Sequence, residues 1–502
     1  MLIIFAIDLI YLKEPQMKRT ALYLCLFLML LYIQGCFSIK SSSGGGEGVD
    51  FSGERQINPA DVALPEGYTI EAVASNLMFP TGVAFDNEGT PYITESGYSY
   101  GEVFKEPRLL KVNPDGTTEI ITTGSKNGPW NGVWFHDGAF YVAEGGQLDG
   151  GKILRIDREG NLSTLIENLP SIGDHHTNGP VVYNGYLYFG QGTATNSAVV
   201  GEDNYNFGWL QRYPEFHDVP CKDIILAGTN YSTQNILNEG SEEEISTGAY
   251  LPFGTPSDSG QVISGQVPCS GAVIRIPLNG GTPELVAWGF RNPYGLAFNN
   301  GGELYVTDNG YDVRGSRPVW GTGDYLWKVE QGKWYGWPDF SGGHNLHEGH
   351  LEVPGEGLPK KILAEYPGEP PHPSALFGVH SSSNGFDFSR SGDFGFEEEA
   401  FVAQFGDMAP GVGKVYKPVG FKVVRVDPKT GVIHDFVVNK GGYAPASKLN
   451  SGGIERPVAV RFSPDGNELY IVDYGVMLTS DKGPVPVEQT GVIWKVTKNR
   501  QQ

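Results

Sequence analysis

Residues 302–310 read GELYVTDNG, an apolar strand between a glycine turn and an acidic or amide residue followed by glycine. The same pattern recurs at residues 89–97, 138–146, 185–192, 399–407 and 467–475. A third strand of alternating apolar and polar residues follows each copy, as in RLLKV from Arg108 and GVIWKV from Gly491. Repetition at about 45 residues with four strands per unit predicts an all-β protein, a six-bladed β-propeller of four-stranded blades.

The sixth copy ends at its third strand, so its blade needs a strand from elsewhere in the chain. Residues 68–73, in GYTIEAVASNL before the first copy, have a strand pattern. We expect this N-terminal strand to pair with the last blade and close the ring, which removes a free sheet edge. The repeats therefore predict one domain over residues 66–498.

Composition excludes one class of partner and agrees with the fold. The chain of 502 residues has a net charge of -22, whereas nucleic-acid binding needs a basic surface that displaces counterions from phosphates. We therefore expect no nucleic-acid partner. Seventy glycines and 34 prolines are typical of a β protein with many tight turns.

The N-terminus has the pattern of an export signal. Met17, Lys18 and Arg19 precede an apolar run over residues 21–33, which ends in IQGC at Cys36. This pattern is similar to the signal peptide and lipobox of bacterial lipoproteins, with Met17 as the true start and a lipid on Cys36. Residues 37–65, which are rich in Ser and Gly, would be a flexible tether. We predict an exported protein anchored to a membrane by its lipid; the alternative is an uncleaved membrane helix, for which the run is short.

Two further cysteines lie in the predicted domain. Cys221 and Cys269 each follow Val-Pro and lie in a long insertion of the third copy, at about residues 193–270. In an exported protein an even pair of cysteines favours a disulfide. We expect the disulfide to staple a loop that has no sheet of its own, and the alternative is two free buried thiols.

Propeller geometry limits where chemistry can lie. The loops that enter the first strand and leave the second strand of each blade open onto one face, around the central channel. The entering loops include Asn131, His175–Asn178, Arg291–Asn292, His380–Asn384 and Glu455–Arg456, and the leaving loops include Glu95, Glu144, Gln191, residues 308–311 and Asp473. An acidic residue that recurs before glycine can also hold its own turn, and we favour that interpretation for Glu95, Glu144 and Asp473. His176 and Arg291 interrupt the repeat, and we expect both to be catalytic.

Three segments in the fourth repeat resemble a known family. GFRNPYGLAF from Gly289, ELYVTDNGYD from Glu303 and GDYLWKVEQGKWYGWPDF from Gly323 are similar to the glucose/sorbosone dehydrogenase family. The resemblance implies a soluble-type quinoprotein that binds pyrroloquinoline quinone (PQQ) and Ca²⁺ in a six-bladed propeller. It also implies oxidation of an aldose, or of an aldehyde hydrate, to a lactone or acid.

The resemblance also implies roles for individual residues. His176 is similar to the general base of the family. Arg291 and Asn292 are similar to the pair that contacts the quinone, and Arg456 to a further quinone-binding arginine. Gly310 and Tyr311 are similar to the residues whose carbonyls bind Ca²⁺, and Gln191 and Asn131 to other cofactor contacts. The chain departs from the family at Ile454, where the last blade often has a second arginine, and in the fifth blade, where lysine appears only at Lys414 or Lys417. Because no C-x-x-C-H haem motif occurs, electrons would leave to a separate acceptor.

The sequence is also compatible with two other functions. A calcium-dependent lactonase or hydrolase would use Glu95, Glu144, Asn131, Asn178 and Asp308 as ligands, whereas a non-enzymatic propeller would only bind glycans or proteins. His344, His347 and His350 have a spacing that on a helix suggests zinc, but the flanking glycines favour a solvated loop.

Overall fold

The computed structural model describes residues 44–499 apart from 100–102, 239, 241, 348–350, 352–356, 414 and 481–482. The predicted signal peptide and Cys36 lie outside the described residues. Among the described residues, no helix is long and apolar enough to cross a bilayer.

Two strands and a short turn of 3₁₀ helix precede the repeats, and the first two blades follow in chain order. The strands are β1 (Val62–Ala63) and β2 (Tyr68–Leu77), after the turn at Pro59–Asp61. Blade 1 has β3 (Pro80–Phe85), β4 (Pro91–Glu95), a hairpin of β5 (Tyr98–Ser99) and β6 (Val103–Phe104), β7 (Arg108–Val112) and β8 (Thr118–Thr123). Blade 2 has β9 (Trp130–His136), β10 (Ala139–Glu144), β11 (Gly151–Asp157) and β12 (Leu162–Leu169).

Blades 3 and 4 carry insertions. Blade 3 has β13 (Thr177–Tyr183) and β14 (Tyr186–Gln191), then α1 (Glu202–Asn206), α2 (Trp209–Arg212), β15 (Ile224–Ala227), β16 (Asn230–Gln234), β17 (Glu244–Gly248) and β18 (Ser259–Ile263), and finally β19 (Ala272–Pro277) and β20 (Glu284–Trp288). Blade 4 has β21 (Pro293–Phe298), β22 (Leu304–Asp308), β23 (Gly323–Lys328), a hairpin of β24 (Phe340–Ser341) and β25 (His344–Asn345), and β26 (Ala375–Val379).

Blades 5 and 6 complete the ring. Blade 5 has β27 (Ser383–Phe388), β28 (Ala400–Gln404), β29 (Lys422–Val426) and β30 (Ile433–Asn439), followed by α3 (Ala446–Leu449). Blade 6 has β31 (Pro457–Phe462), β32 (Glu468–Asp473), a hairpin of β33 (Met477–Ser480) and β34 (Gly483–Pro486), and β35 (Gly491–Lys498).

The predicted six-bladed propeller is confirmed, including its closure. Each blade is an antiparallel sheet of four strands, and the first strands of neighbouring blades contact one another around the ring. The N-terminal strand β2 pairs with β35, with Tyr68 opposite Lys498, and supplies the missing strand of blade 6. One pairing was not predicted: β1 adds a fifth strand to blade 5, with Val62 opposite Asn439.

Glycines let the first strands approach closely around the channel. A Cβ on Gly132 would overlap the carbonyl oxygen of Gly179, and one on Gly82 would lie 2.7 Å from the Cα of Gly132. Gly132 also has φ of +83°, a conformation that L side chains rarely adopt. In blade 6 the equivalent residue is Ala459.

The cores lie between neighbouring blades. Between blades 5 and 6, for example, Phe394, Phe401 and Trp494 are buried, and Phe401 stands edge-on to Phe436 with ring centroids 4.7 Å apart. Burial of such aromatic side chains supplies most of the free energy that holds one blade against the next. The blades therefore form a rigid frame for the loops at the channel.

The insertion of blade 3 differs from the prediction in one respect. Cys221 and Cys269 form the expected disulfide. The insertion, however, has sheets of its own, because β15 pairs with β18 and β16 pairs with β17. The expectation of a loop without a sheet was wrong, since these strands are short and lack the repeat pattern from which the blades were recognised.

Candidate active site

An open cavity of about 840 Å³ lies on the face that propeller geometry predicted. Its lining includes His175, His176, Arg291, Asn292 and Gly310. One wall comes from α1, α2 and the turn between them, and includes Phe207 and Trp209. Another wall comes from residues 406–412. The cavity thus joins the channel mouth to the insertions of blades 3 and 4.

His175 stands at the entrance to β13 and is nine-tenths buried. Its Nδ1 lies 3.0 Å from the carbonyl oxygen of Thr193 and 3.1 Å from the Thr193 hydroxyl. Because a carbonyl only accepts, Nδ1 carries the proton and Nε2 keeps the lone pair. Burial, together with the charges of Arg291 and Arg314, holds the His175 pKa well below its usual range, so the imidazole is neutral.

A glycine makes room for this histidine. A Cβ on Gly192, just after β14, would overlap the Cβ of His175. The glycine that ends the second strand of this repeat therefore does more than form a turn, since it lets an imidazole lie against the strand end.

His176, the residue singled out from the sequence, also lines the cavity but is held by blade 2. The Nε2 of Gln147 lies 2.7 Å from its Nδ1 and 2.6 Å from its Nε2, and the carbonyl oxygen of Ser171 lies 3.5 Å from Nδ1. Burial lowers the pKa of His176 to about 4. Both ring nitrogens of His176 thus meet the Gln147 amide, whereas Nε2 of His175 bonds to no other described residue.

Arg291 is positioned by the carboxylate that ends β22. The backbone N–H groups of Arg291 and Asn292 donate to Oδ1 of Asp308 at 3.1 and 2.8 Å. Burial raises the pKa of Asp308 to about 7. The Arg291 guanidinium donates from Nε to the carbonyl oxygen of Asn196 at 3.1 Å, and from Nη2 to Oδ2 of Asp312 at 2.7 Å.

A second arginine extends this network along the cavity. Arg314 donates from Nε to Oδ2 of Asp312 at 3.0 Å, and from Nη1 to Oδ2 of Asp174 at 2.7 Å and Oδ2 of Asp203 at 2.5 Å. His380 lies beside it, with Nδ1 3.6 Å from Oδ1 of Asp312. One carboxylate oxygen therefore bridges two guanidinium groups, because Arg291 and Arg314 share Asp312.

The pKa values of Asp174 and Asp312 shift in opposite directions in this environment. Burial, reinforced by the charge of Asp203, raises the pKa of Asp174 to about 6 despite the nearby arginine. Burial acts in the same direction on Asp312, but Arg291 and Arg314 outweigh it and hold the Asp312 pKa below its usual range. Asp312 is thus ionised at neutral pH and fixes both arginines.

The turn after β22 contains the predicted calcium donors. Gly310 donates its N–H to Oδ1 of Asp324 at 3.0 Å, and the carbonyl oxygen of Tyr311 accepts from the Thr322 hydroxyl at 3.0 Å. A Cβ on Gly310 would overlap the carbonyl oxygen of Gly323, so the turn requires glycine. Within the described residues no three His, Cys, Asp or Glu side chains cluster as a metal site, so a metal here would depend on backbone carbonyls.

Three predicted cofactor residues lie away from the cavity or at its edge. Gln191 is fully buried, accepts from the Thr177 hydroxyl and donates to the carbonyl oxygen of Pro170, so it holds the strand end. Asn131 lines a narrow recess of the channel and donates to Oδ1 of Asn178 at 3.1 Å. Arg456 is completely buried beneath residues 405–407 and does not line the cavity.

The residues of the alternative lactonase site are not gathered into one cluster. Glu95 pairs with Arg108 of its own blade, and Glu144 accepts from the indole of Trp130. Asp308 is engaged by backbone N–H groups. Each acidic group is thus used within its own blade, as the turn interpretation predicts for Glu95 and Glu144.

His175 and His380 were predicted only as members of their entering loops, and the cluster of Asp174, Asp203, Asp312 and Arg314 beside His380 was not predicted. A signal was present in the loop after β22, which reads DNGYDVRGSR from Asp308. Asp312 and Arg314 follow directly on the predicted calcium turn. Asp203 gave no signal, because the insertion has no repeat against which to compare it.

No protein-family model matches the chain, and no curated protein matches it. Solved structures do match over most of its length. A carbohydrate-active enzyme of family AA12 from Trichoderma reesei superposes with a TM-score of 0.54 at 14% identity, covering 89% of this chain and 100% of that chain. The holo form of the PQQ domain of a pyranose dehydrogenase from Coprinopsis cinerea has a TM-score of 0.51 at 14% identity, covering 89% and 100%.

A glucose dehydrogenase has a TM-score of 0.50 at 17% identity, covering 85% of this chain and 99% of that chain. These likenesses establish the fold. The structural neighbours thus include sugar dehydrogenases, one of them a PQQ domain in its holo form. At this identity the residues of the cavity have to be judged by their own geometry.

Proposed function

We propose that the protein is an oxidoreductase that oxidises a sugar, or a related aldehyde hydrate, to a lactone or acid, with PQQ as electron acceptor and Ca²⁺ beside it. One observation carries the proposal: a neutral histidine with an available Nε2 lines the same cavity as two guanidinium groups held by one carboxylate. A base next to fixed positive charge suits removal of a proton from a hydroxyl group.

The donor set fits an anionic quinone. Within the described residues, Nη1 of Arg291 and Nη2 of Arg314 make no hydrogen bond, although both side chains line the cavity. A guanidinium with open N–H groups matches carboxylate and carbonyl oxygens. Beside Arg291, Arg314 thus provides the second positively charged side chain that the sequence predicted at Arg456. The amides of Asn292 and Asn309 add neutral donors on the same wall.

A calcium ion would be held by the carbonyl oxygens of Gly310 and Tyr311. The Tyr311 carbonyl accepts one bond from Thr322 and keeps a second lone pair. Backbone carbonyls are ligands that Ca²⁺ takes in proteins.

The chain's own residues would act as follows. His175 takes the proton of the sugar hydroxyl at Nε2, because the Thr193 carbonyl keeps the other proton on Nδ1. Arg291 and Arg314 orient and neutralise anionic groups, while Phe207 and Trp209 offer an apolar wall against which a sugar ring can lie. A bound quinone supplies the two-electron acceptor for the oxidation, and a separate acceptor then takes the electrons.

The test is dye reduction by the protein supplied with PQQ and Ca²⁺, with a panel of aldoses. We expect His175→Gln to lower kcat about 100-fold or more, since a general base contributes on the order of 10²- to 10⁴-fold. His176→Gln should lower kcat about tenfold or less, because His176 is held by Gln147 and would act as a positioning residue. His434→Gln, at an exposed position on β30, is the matched control and should leave kcat unchanged.

The outcomes separate the alternatives. Loss of activity in His176→Gln but not in His175→Gln would transfer the role of base to His176. If the protein reduces no dye with any aldose, the proposal is wrong. Lactone hydrolysis that requires Ca²⁺ would then favour the lactonase, and glycan binding without turnover would favour a binding propeller.

A further inference from the structure

A short N-terminal segment, Gly44–Glu47, lies in a cleft between blades 5 and 6 and is here called the strap. Three residues of the propeller bond to its backbone. The Gly45 N–H donates to Oδ1 of Asp407 at 3.0 Å, and the Thr479 N–H donates to the carbonyl oxygen of Gly46 at 3.1 Å. Nζ of Lys448 donates to the carbonyl oxygens of Gly44 and Glu47 at 2.7 and 3.2 Å. This part of the predicted tether is therefore packed against the propeller.

The cleft accepts glycine at each of the first three strap positions. A Cβ on Gly44 would lie 2.6 Å from the carbonyl oxygen of Ala409, and one on Gly45 would overlap the ring of Phe421. A Cβ on Gly46 would lie 2.6 Å from the carbonyl oxygen of Met477. Because backbone atoms fill the space completely, the fit depends on the absence of side chains.

Arg456 lies directly beneath the strap. Its Nη1 donates to the carbonyl oxygens of Gly406 and Asp407 at 3.2 and 3.0 Å, and its guanidinium lies between the rings of Phe405 and Phe421, at 5.0 and 4.9 Å from their centroids. Its Nε and Nη2 are buried and have no hydrogen-bond partner among the described residues.

These two unpaired nitrogens form one edge of the guanidinium, with parallel N–H groups that match the two oxygens of a carboxylate. A Cβ on Gly46 would lie 3.0 Å from Nη2, so the strap passes next to the Nη2 end of this edge at Gly46. A guanidinium edge that is buried without a hydrogen-bond partner is unfavourable, and an entering anion would relieve this cost.

We propose that the strap is a removable cover over a carboxylate-binding site at the Nε–Nη2 edge of Arg456. In the closed state Gly44–Glu47 fills the cleft; in the open state a planar carboxylate takes the place of the Gly46 backbone, between the rings of Phe405 and Phe421. Strap and anion exclude each other. By linkage, whatever weakens one strengthens the other by the same factor.

The first test is hydrogen exchange on the full chain with oxalate as the probe. The amides of Gly45 and Thr479 report strap closure directly, because each donates one of the strap's hydrogen bonds. We expect saturating oxalate to speed exchange of both amides at least about threefold. Inorganic phosphate, which is tetrahedral, should have a smaller effect. Unchanged or slower exchange with oxalate would overturn the proposal.

The second test opens the strap by substitution. Gly45→Leu, whose side chain would collide with Phe421, should raise exchange of the Thr479 amide about tenfold without ligand and tighten oxalate binding by a similar factor. Ser52→Leu adds the same side chain at an exposed position just after the strap and should change neither. If Gly45→Leu leaves both quantities at the wild-type value, the strap is not a cover.

A third variant assigns the site. Arg456→Lys keeps the positive charge but has no two-pronged edge, so oxalate should no longer speed strap exchange. Should that variant fail to fold, the comparison of Gly45→Leu with Ser52→Leu still decides. None of these readouts depends on sugar oxidation, so the inference and the proposed function can fail separately.

Discussion

Two sets of buried carboxylates in this protein do different work, although the same residue types make up both. The first set ends the second strands of the blades: Glu95, Glu144, Asp308 and Asp473. The second set lies on the cavity wall: Asp174, Asp203 and Asp312. The turn carboxylates bond within the frame, whereas the cavity carboxylates hold arginines that face open space.

Asp473 illustrates the first set. It is fully buried, and its oxygens accept from Arg55 Nη2 at 2.5 Å, from the Trp494 indole at 3.1 Å and from the backbone N–H groups of Glu455 and Arg456 at 2.9 and 2.8 Å. Asp312 illustrates the second set, since its Oδ2 accepts hydrogen bonds from two arginines and its side chain lines the cavity. The comparison shows that burial of a carboxylate does not by itself indicate a binding role in this protein. A binding role is indicated when the arginines that pair with the carboxylate keep N–H groups that bond to no described residue.

The largest expected effect is on stability, when one of the turn carboxylates is removed. Asp473→Ala leaves the Trp494 indole and two backbone N–H groups without this acceptor, and it removes the charge paired with Arg55, whose guanidinium keeps only the carbonyl oxygens of Thr490 and Gly453. We expect the free energy of unfolding to fall by about 3–5 kcal/mol, the usual loss when one partner of a buried pair is removed. Denaturant unfolding would measure it, with the exposed strand residue Glu119→Ala as control. A loss below about 1 kcal/mol would contradict the structural role.

The next effect is a pH dependence. Burial and the neighbouring Asp473 charge raise the pKa of Glu455 to about 7, against an ordinary value of 4.5. Since the folded state binds this proton more tightly, the contribution to stability is complete below about pH 4.5 and is lost as pH rises through about 7. Glu455→Gln should remove up to about 3 kcal/mol of that fall, at about 1.4 kcal/mol per pKa unit. Denaturant unfolding at pH 5 and pH 8 tests this, and an equal fall in both proteins would refute it.

The smallest expected effect is on activity, when one of the cavity carboxylates is replaced. Asp312→Asn loosens both guanidinium groups, but Asn196, Asp174 and Asp203 still hold them. We expect kcat/KM for sugar oxidation to fall about tenfold, about 1.4 kcal/mol, with a smaller change in unfolding free energy.

The pH dependence of the Asp312 contribution to stability should be opposite to that of Glu455. The lowered pKa of Asp312 contributes stability above pH 3.8 that is lost as pH falls further, and Asp312→Asn should abolish this contribution. Asp149→Asn, an exposed carboxylate in the loop between β10 and β11, is the control. A large loss of stability at neutral pH would place Asp312 in the structural set instead.

Most of the fold could be predicted because each blade repeats one local pattern. Alternating strands and glycine turns recur six times, and the incomplete sixth copy pointed to the closing strand β2. Strand β1 and the strap could not be predicted, since two residues of strand and three glycines carry no periodic signal. Their positions are decided by long-range packing against residues of blades 5 and 6.

The site was predicted in part, and the two arginines show why. Arg291 and Arg456 have equivalent positions in blades 4 and 6, since the N–H of each donates to the aspartate that ends the second strand, Asp308 or Asp473. Their side chains differ completely: Arg291 reaches the cavity and Arg456 is covered by the strap. The local sequence predicts the backbone position, but neighbouring loops distant in sequence decide where a long side chain goes.

The pairing of Tyr68 with Lys498 has a consequence for how the molecule folds. Blades 1 and 2 consist of strands close in sequence, over residues 80–123 and 130–169, so their sheets can form as soon as each stretch of chain is present. Blade 6 needs strands from both ends of the domain, and contacts between distant residues form late because the intervening chain must first be ordered. We therefore expect ring closure to limit the rate of folding, and until then the edges of β35 and β2 stay open to pairing with other chains.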